Sequence, residues 1–322
     1  MMKPLKLEPT YRDYVWGGNR LRPEAEKTAE AWVVYEENTI KTGRFASTNL
    51  AEASDVEGES LLGSVSVART GHRFPLLIKL LDCARWLSLQ VHPNDEQAEY
   101  LEGPGHFGKT EAWYVVDAEK DAELLSGLKE GVTHAQIDEA VGNQKILDLV
   151  IRRRVQPGDY LFMAPGTIHA LGPGLLIYEV QQTSDITYRV YDWDRPMTGR
   201  RKLHVEHAIK VLNPGERGDV HHIETRDGKI VQENLITGDY FSLNLISGTS
   251  GEIHMNTRGK SFHALTILEG TASVQGEGWL FALQPYETIL VPAMCHEYHI
   301  STSNQIRLIN SFVPEDLSKI QD

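Results

Sequence analysis

The amino-acid sequence predicts a mainly β chain. Three observations carry that prediction: short β-branched and aromatic runs recur along most of its length, several of them alternate apolar and polar residues, and glycine and proline fall between them. Helical periodicity is brief and local. The 322 residues suffice for one large β domain or two of medium size with a real core.

Residues 5–50 read as short strands and loops. Tyr14-Val15-Trp16-Gly17-Gly18 closes in a glycine turn, and Ala31-Trp32-Val33-Val34-Tyr35 is a buried strand. Residues 50–72 predict a loop with a short helix. Residues 74–81 form an apolar strand, and 87–92 an alternating one that places Ser88, Gln90 and His92 on one face. Pro93-Asn94-Asp95 ends that strand, residues 96–100 predict a short helix, and 110–116 the next strand. Thr133-His134-Ala135-Gln136 matches a helix capping box, so two short helices are expected over 133–152, within a helical insertion at about 126–152. Strands resume at 160–163, 175–181 and 188–191. The polar, turn-rich stretch 213–228 is the expected domain boundary, separating a unit of residues 1–215 from one of 229–322. Alternating strands follow near 230–236, 240–247, 262–268, 271–275, 287–291 and 306–313.

A faint internal repeat aligns Gly158 to His169 with Pro285 to His296: in both, a proline comes seven residues after the turn residue and a histidine four after the proline. This suggests two copies of one β unit.

Composition narrows the function. A net charge of −13 disfavours nucleic acid, whose phosphates an acidic surface repels. The two cysteines, Cys83 and Cys295, form no disulfide framework or cysteine-based zinc site and read as core thiols. The N-terminus lacks the apolar stretch of a signal peptide, and no run approaches eighteen apolar residues. A cytoplasmic protein with no membrane partner is expected.

Four residues stand out as one constellation: Gln90, His92, Glu111 and His169. They fall at the ends of three separate strands, which a β-barrel gathers around one mouth. Two imidazoles, a carboxylate and an amide oxygen suit a borderline divalent ion such as Zn²⁺. Taken singly, His-Pro after a strand is a turn, and Glu at a strand start is a solvated residue. Spacing does not show that the strands meet. His254, His263, His296 and His299 are candidates for a second site, but that region lacks a paired Gln-x-His strand and a partner glutamate. It reads as a degenerate, metal-free copy.

The order and combination of motifs resemble type I mannose-6-phosphate isomerases. LSLQVHPND (87–95) is similar to that family's Q-x-H-P strand, GKTEAWYVV (108–116) to its G-K-x-E strand, and APGTIHAL (164–171) to its metal turn, with the proline displaced by one position. YEVQQTSDITYRVYDWDR (178–195), YVWGG (14–18) and GRRKLH (199–204) also fit, so the motifs span roughly residues 7–210. The resemblance implies a cupin-type jelly roll (a double-stranded β-helix) with a small helical insertion, followed by a second, degenerate cupin-like β unit. It implies metal ligands Gln90, His92, Glu111 and His169 for one Zn²⁺ or similar ion per chain. It further implies an active-site Arg189, Lys109 and Glu179 lining the pocket, and Ser88 near the substrate phosphate. The short interval between Glu111 and His169 leaves no room for the large helical domain of the long eukaryotic form, and resembles the compact bacterial and archaeal subgroup.

The implied reaction is aldose–ketose isomerisation of mannose 6-phosphate and fructose 6-phosphate through a cis-enediol, in a monomer or homodimer. Glu179 or a metal-bound hydroxide is the candidate base, Arg189 and Lys109 answer charge on oxygen, and Arg200, Arg201 and Lys202 form a basic run near in sequence. Other readings stand beside it: a cupin isomerase for another sugar phosphate, an Fe-dependent oxygenase, or a sugar-binding cupin without turnover. Gln90 and the Arg189 motif weigh against an oxygenase, and the complete ligand set weighs against a non-catalytic binder.

Overall fold

The computed structural model describes residues 2–196 and 201–315. The chain up to Cys83 supplies β1 (Leu5–Lys6), β2 (Thr10–Arg12), β3 (Glu30–Val34), the helices α1 (Leu50–Glu57), α2 (Glu59–Leu62) and α3 (Ser64–Thr70), and β4 (Leu76–Cys83). The chain groups into two compact units. One comprises residues 11–30 and 80–223, the other the described residues of 1–10, 31–79 and 224–322.

This division differs from the expected one at 1–215 and 229–322. A boundary at 223/224 lies in the polar stretch singled out above, but residues 31–79 pack with the C-terminal third. The reason is long-range pairing that local patterns do not reveal. Ser64 N donates to Gly259 O at 3.1 Å, Phe262 N to Leu62 O at 3.2 Å, and the rings of Phe74 and Phe262 meet at 4.6 Å.

The unit of residues 11–30 and 80–223 contains β5 (Leu89–Val91), α4 (Asp95–Glu102), β6 (Glu111–Ala118), β7 (Glu123–Leu128), α5 (His134–Gly142), β8 (Val150–Arg154), β9 (Asp159–Met163), β10 (His169–Leu171), β11 (Leu175–Gln182), β12 (Tyr188–Tyr191), α6 (Val205–Val211) and β13 (His221–His222). One sheet runs β12-β5-β10-β7-β8, and in a second the strands β13-β9-β6-β11 lie side by side. The capping box at Thr133 is present: Gln136 Oε1 accepts from Thr133 N at 2.9 Å. The helical insertion is shorter than expected, because only α5 and a 3₁₀ turn at Ile146–Asp148 are helical. Residues 126–128 complete β7, and Val150–Arg154 is a strand paired with it, buried at Val150, half-buried at Ile151 and Arg153, and exposed at Arg152 and Arg154. The apolar residues of 146–150 fit both a helical stripe and a strand, and pairing with β7 selects the strand from Val150 on.

Period-two alternation sorts the side chains of this unit. The inner faces contribute Trp113 and Val115 from β6, Leu124 from β7, Leu161 and Met163 from β9, Leu171 from β10 and Ile177 from β11 to one core. The outer face of the first sheet, with Leu89, Val91, Leu125, Ala170 and Val190, packs against Ile137 and Ala140 of α5 and Ala208 and Val211 of α6. The apolar inner rows end at one edge. Glu111 follows Trp113 and Val115 on β6, Gln181 and Glu179 follow Ile177 on β11, and His169 follows Leu171 on β10. The unit thus has a dry end and a polar end.

The C-terminal third forms β14 (Val231–Thr237), β15 (Ser242–Gly248), β16 (Gly251–Asn256), β17 (His263–Glu269), β18 (Ala272–Gly276), β19 (Trp279–Leu283), β20 (Thr288–Val291), β21 (Glu297–Thr302) and β22 (Ile306–Phe312). With β1 they make a six-stranded sheet, β1-β20-β17-β22-β15-β14, and a four-stranded one, β16-β21-β18-β19, around a core that includes Ile246, Leu265, Val274, Ile300 and Leu308. Strands β16, β19 and β21 have no counterpart in the sequence-based reading. Gly251–Asn256 shows why: only Ile253 and Met255 face the core, between the exposed Glu252, His254 and Asn256, and two apolar positions in six residues are a weak local signal.

His263 on β17 is buried, with Nδ1 2.7 Å from the Tyr298 hydroxyl, and burial pulls its pKa down to about 3. It is neutral in the folded protein, whereas in the unfolded chain it titrates near ~6.5. Below that pH the unfolded state binds a proton that the folded state refuses, so this residue's share of stability falls as pH drops from about 6.5 towards 3. At about pH 4.5 the loss should reach about 2–3 kcal/mol. Urea midpoints of the wild-type protein and His263→Gln, compared at neutral and acid pH, should differ in favour of the variant on acidification. A difference that does not change with pH would contradict this assignment.

Candidate metal centre

The polar end is assembled by register. His169 on β10 lies opposite Gln90 on β5, and Arg189 on β12 lies opposite Gln90 from the other side. Glu111 on β6 sits between Met163 of β9 and Gln181 of β11. Gln90 on β5 and His92, one residue past the strand's end at Val91, are two apart and turn to the same side. Pro93 cannot donate to the ladder, and Asn94 caps α4, accepting from Gln97 N at 2.8 Å, so the chain leaves the sheet at His92. The turn before His169 needs Gly166, whose φ is +85° and whose Cβ would come within 2.9 Å of Val211 O.

His92, Glu111 and His169 bring one ligand atom each to within 4.8 Å of one another, and all three are buried. His169 Nε2 is 3.1 Å from Glu111 Oε1, and His92 Nε2 is 3.5 Å from Glu111 Oε2. The tautomers follow from the far side of each ring. His92 Nδ1 donates to Ile186 O at 2.8 Å and His169 Nδ1 to Thr167 O at 2.9 Å. In the neutral rings this leaves both Nε2 lone pairs aimed at the cluster, the arrangement that backbone carbonyls impose on metal-binding histidines. Gln90 Nε2 lies 3.3 Å from His169 Nε2 and 3.5 Å from His92 Nε2. Turning its terminal amide by half a rotation presents Oε1 to the same point.

Glu111 is fully buried, yet neither carboxylate oxygen accepts a directed hydrogen bond. Burial alone would raise its pKa. Lys109, His92 and His169 overcome that and hold it well below the usual carboxylate range. Lys109 Nζ stands 2.8 Å from Glu111 Oε2 and 3.0 Å from His92 Nε2. Burial, reinforced by Lys109, keeps the His92 pKa well below its ordinary value, so the imidazole is neutral. A buried, ionised carboxylate without directed hydrogen bonds, beside two imidazole lone pairs and an amide, fits a divalent cation.

The loop that delivers Lys109 is tied down by residues that sequence reasoning missed. Asp95 Oδ1 accepts from Gly108 N at 2.7 Å and from Gln182 Nε2 at 2.9 Å, while Gln182 Oε1 accepts from Thr110 N at 2.9 Å. Gly108 presses so close to Asn94 that a Cβ would come within 2.5 Å of its backbone carbon. Trp113 is a second omission: its ring meets His169 edge-on at 5.3 Å, and its Nε1 donates to Glu179 Oε2 at 2.9 Å. The Asp95 role had a faint local signal in the Asn-Asp after His-Pro. Trp113 had one in its i+2 spacing from Glu111, but only a partner across the barrel gives it meaning.

The remaining expected residues are placed as follows. Ser88 is buried and its hydroxyl donates to Gln90 Oε1 at 3.3 Å. Glu179 reaches Trp113 and stands outside the three-residue cluster. Arg189 is half-buried, and burial, followed by the charge of Arg201, lowers its pKa from the usual arginine value. Arg201 grips Asp192 at 2.6 Å. Gly199 and Arg200 lie outside the described residues. Cys83 and Cys295 are buried free thiols with raised pKa values, Cys295 to about 12, burial being the main cause in both. Of the four C-terminal histidines, His263 is inside and His296 exposed, while His254 and His299 approach Glu252 on the surface of β16 and β21. That glutamate, which the sequence-based reading did not find, stands two residues before His254 on β16, and cross-strand register sets His299 opposite His254.

Residues 4–130 match the family model for phosphomannose isomerase type I, catalytic domain. The chain is 32% identical over 312 residues to mannose-6-phosphate isomerase ManA of Bacillus subtilis (strain 168), covering 92% of this chain and 96% of that one. It is 33% identical over 315 residues to the probable mannose-6-phosphate isomerase GmuF of the same organism, covering 93% and 96%. The crystal structure of mannose 6-phosphate isomerase from Bacillus subtilis superposes with a TM-score of 0.84 at 30% identity, over 96% of this chain and 99% of that one.

Asp95→Ala should release the loop without emptying the core. Two buried-side donors lose their acceptor, a cost of about 1–3 kcal/mol. Hydrogen exchange of the Gly108 and Lys109 amides should quicken by at least about tenfold, while strands β6 and β11 stay protected. Unchanged exchange at these amides would refute the anchoring role.

Proposed function

The chain belongs to the type I phosphomannose isomerase family, and on that premise we propose that it interconverts mannose 6-phosphate and fructose 6-phosphate at a divalent ion held by His92, Glu111, His169 and Gln90. The observation that carries the reading is the buried meeting of two imidazole lone pairs with an ionised carboxylate whose one cationic neighbour among the described contacts is the Lys109 ammonium. The donor set suits Zn²⁺, one per chain.

The bound ion would supply Lewis-acid stabilisation of the negative charge that develops at the O1/O2 end of the sugar. The protein's own groups do the rest. A proton leaves C2 and returns at C1, with proton transfer between O1 and O2, so the cis-enediol route balances without an external oxidant. Lys109, 2.8 Å from Glu111, holds its proton at Nζ, where it meets the oxygen end of a substrate. Arg189, opposite Gln90, presents a fixed guanidinium to developing charge on oxygen. Glu179 orients the Trp113 indole against His169, a positioning role that its hydrogen bond supports better than that of a base. Ser88 steadies Gln90 through its hydroxyl. The ammonium of Lys109 and the guanidinium of Arg189 make the mouth locally positive within an acidic protein, which suits a phosphorylated sugar.

A coupled assay across a panel of hexose and pentose phosphates, with and without chelator, tests the reading. Mannose 6-phosphate and fructose 6-phosphate should be interconverted with the highest kcat/KM, and chelation should abolish turnover until metal is restored. Preference for another sugar phosphate would overturn the substrate, and chelator-resistant turnover would overturn the metal.

Elemental analysis should find about one equivalent of Zn²⁺ or a similar ion, and His92→Ala or His169→Ala should lose metal and activity together. Arg189→Ala should keep its metal while kcat falls by about 10²–10³-fold. A metal-replete, fully active Arg189 variant would remove that residue from the mechanism.

A further inference from the structure

The C-terminal third contains a cleft of 610 Å³, formed by residues 232–315, within the ~300–1,000 Å³ typical of small-molecule sites. Its floor is the continuation of faces that elsewhere fill the core. On β22, Leu308 is core, and Asn310 and Phe312, at the next two positions of that face, line the cleft. On β15, Ile246 is core, and Asn244 and Ser242 line the cleft. On β17, Leu265 is core and His263 lines the cleft. The three interior rows thus change from apolar to polar at the same end.

Register aligns the polar ends into a row. Asn234 lies opposite Asn244 across β14 and β15, and Asn244 opposite Asn310 across β15 and β22. Asn234 Nδ2 donates to Asn244 Oδ1 at 2.8 Å and to Thr237 Oγ1 at 3.0 Å. Asn310 is 1% exposed, and its Oδ1 has no hydrogen-bond partner. A row of buried amides costs desolvation, and an orphaned carbonyl oxygen costs about 1–3 kcal/mol. A face needed only for packing would have continued in Ile, Leu and Val, as it does one pleat further in.

The charges mark what the cleft accepts. Arg258, Lys260 and Glu297 are exposed at its rim, with Lys260 paired to Glu315 at 3.2 Å. Among the described lining residues, those that are buried include no Asp, Glu, Lys or Arg. An anion seated on this floor would be buried without a cation, and a cation without an anion. A sugar hydroxyl donates and accepts at once, as a carboxamide does, and Phe312 and Met255 offer an apolar surface to the C–H side of a ring.

We propose that this cleft is a second ligand site, specific for a neutral, polyhydroxylated ligand such as a free or glycosidically linked hexose. The Asn234–Asn244–Asn310 row hydrogen-bonds its hydroxyls, and Asn310 Oδ1 accepts one of them. The inference stands on the C-terminal β unit alone and does not depend on the isomerase assignment.

The test uses the intact, metal-loaded protein and three glycosides without phosphate that cannot isomerise: methyl α-D-mannopyranoside, methyl β-D-glucopyranoside and methyl β-cellobioside. Titration calorimetry or ligand-observed NMR should show saturable binding of at least one, with a Kd of about 1 mM or tighter. Saturating mannose 6-phosphate should leave that binding in place. Asn310→Leu and Asn244→Ala should each weaken it at least about tenfold, with metal content and isomerase kinetics unchanged. Asn310→Leu removes an unsatisfied buried oxygen and should melt no lower than the wild-type protein, so its lost binding reports the site rather than the fold. The proposal fails if none of the three saturates by about 50 mM. It fails equally if mannose 6-phosphate displaces the glycoside, or if both folded variants bind it as the wild type does.

Discussion

Glu111 keeps a negative charge where water does not reach, and the polar end of its barrel is organised around that charge. An isolated buried carboxylate would take up a proton, or cost several kcal/mol to keep ionised. Lys109 and two imidazoles prevent the first outcome, and the Lys109 ammonium at 2.8 Å offsets part of the second. Each neighbouring feature reads as a consequence. The histidines must turn their lone pairs inward, so backbone carbonyls take their other nitrogens. Lys109 must be held at the mouth, so its loop is pinned by Asp95 and Gln182 and pressed flat by Gly108.

The fold supplies this at little local cost because a β-barrel has two ends. Alternation sends every second side chain inward, and one end of the interior can be sealed with Leu, Ile, Val and aromatics. Stability is drawn from that end, which leaves the other free to hold groups that would be costly in a core. The C-terminal unit repeats the division with different chemistry. There the sealed end is a core of its own, and the polar end carries carboxamides and a neutral histidine in place of a charged ligand set. The faint repeat in sequence, Gly158 to His169 against Pro285 to His296, has unlike outcomes in the structure. His169 is buried in the His92–Glu111–His169 cluster, and His296 is exposed at a φ of 52°.

Much of the candidate site's local geometry was legible in the sequence. Gln90 and His92 sit two apart where Pro93 and the Asn94 cap end a strand, and this is local physics that a sequence states directly. The capping box at Thr133, the buried runs of β4, β6 and β11 and the apolar alternation of β15, β17 and β22 are equally local. What escaped were elements whose identity comes from partners. Val150–Arg154 is a strand because β7 lies beside it, Gly251–Asn256 because β21 does, and residues 31–79 join the C-terminal third through contacts some two hundred positions away.

The sequence by itself determined which side chains share a face, where strands must stop, and which residue types were present to bind a cation, because spacing and propensity act over a few residues. Only the tertiary structure decided that Gln90, His169 and Arg189 stand abreast, that Asp95 reaches forward to hold Gly108, and that three asparagines from separate strands line one cleft. Register between distant strands sets those meetings. It is selected by the summed burial of whole faces, a quantity that no short stretch of chain contains.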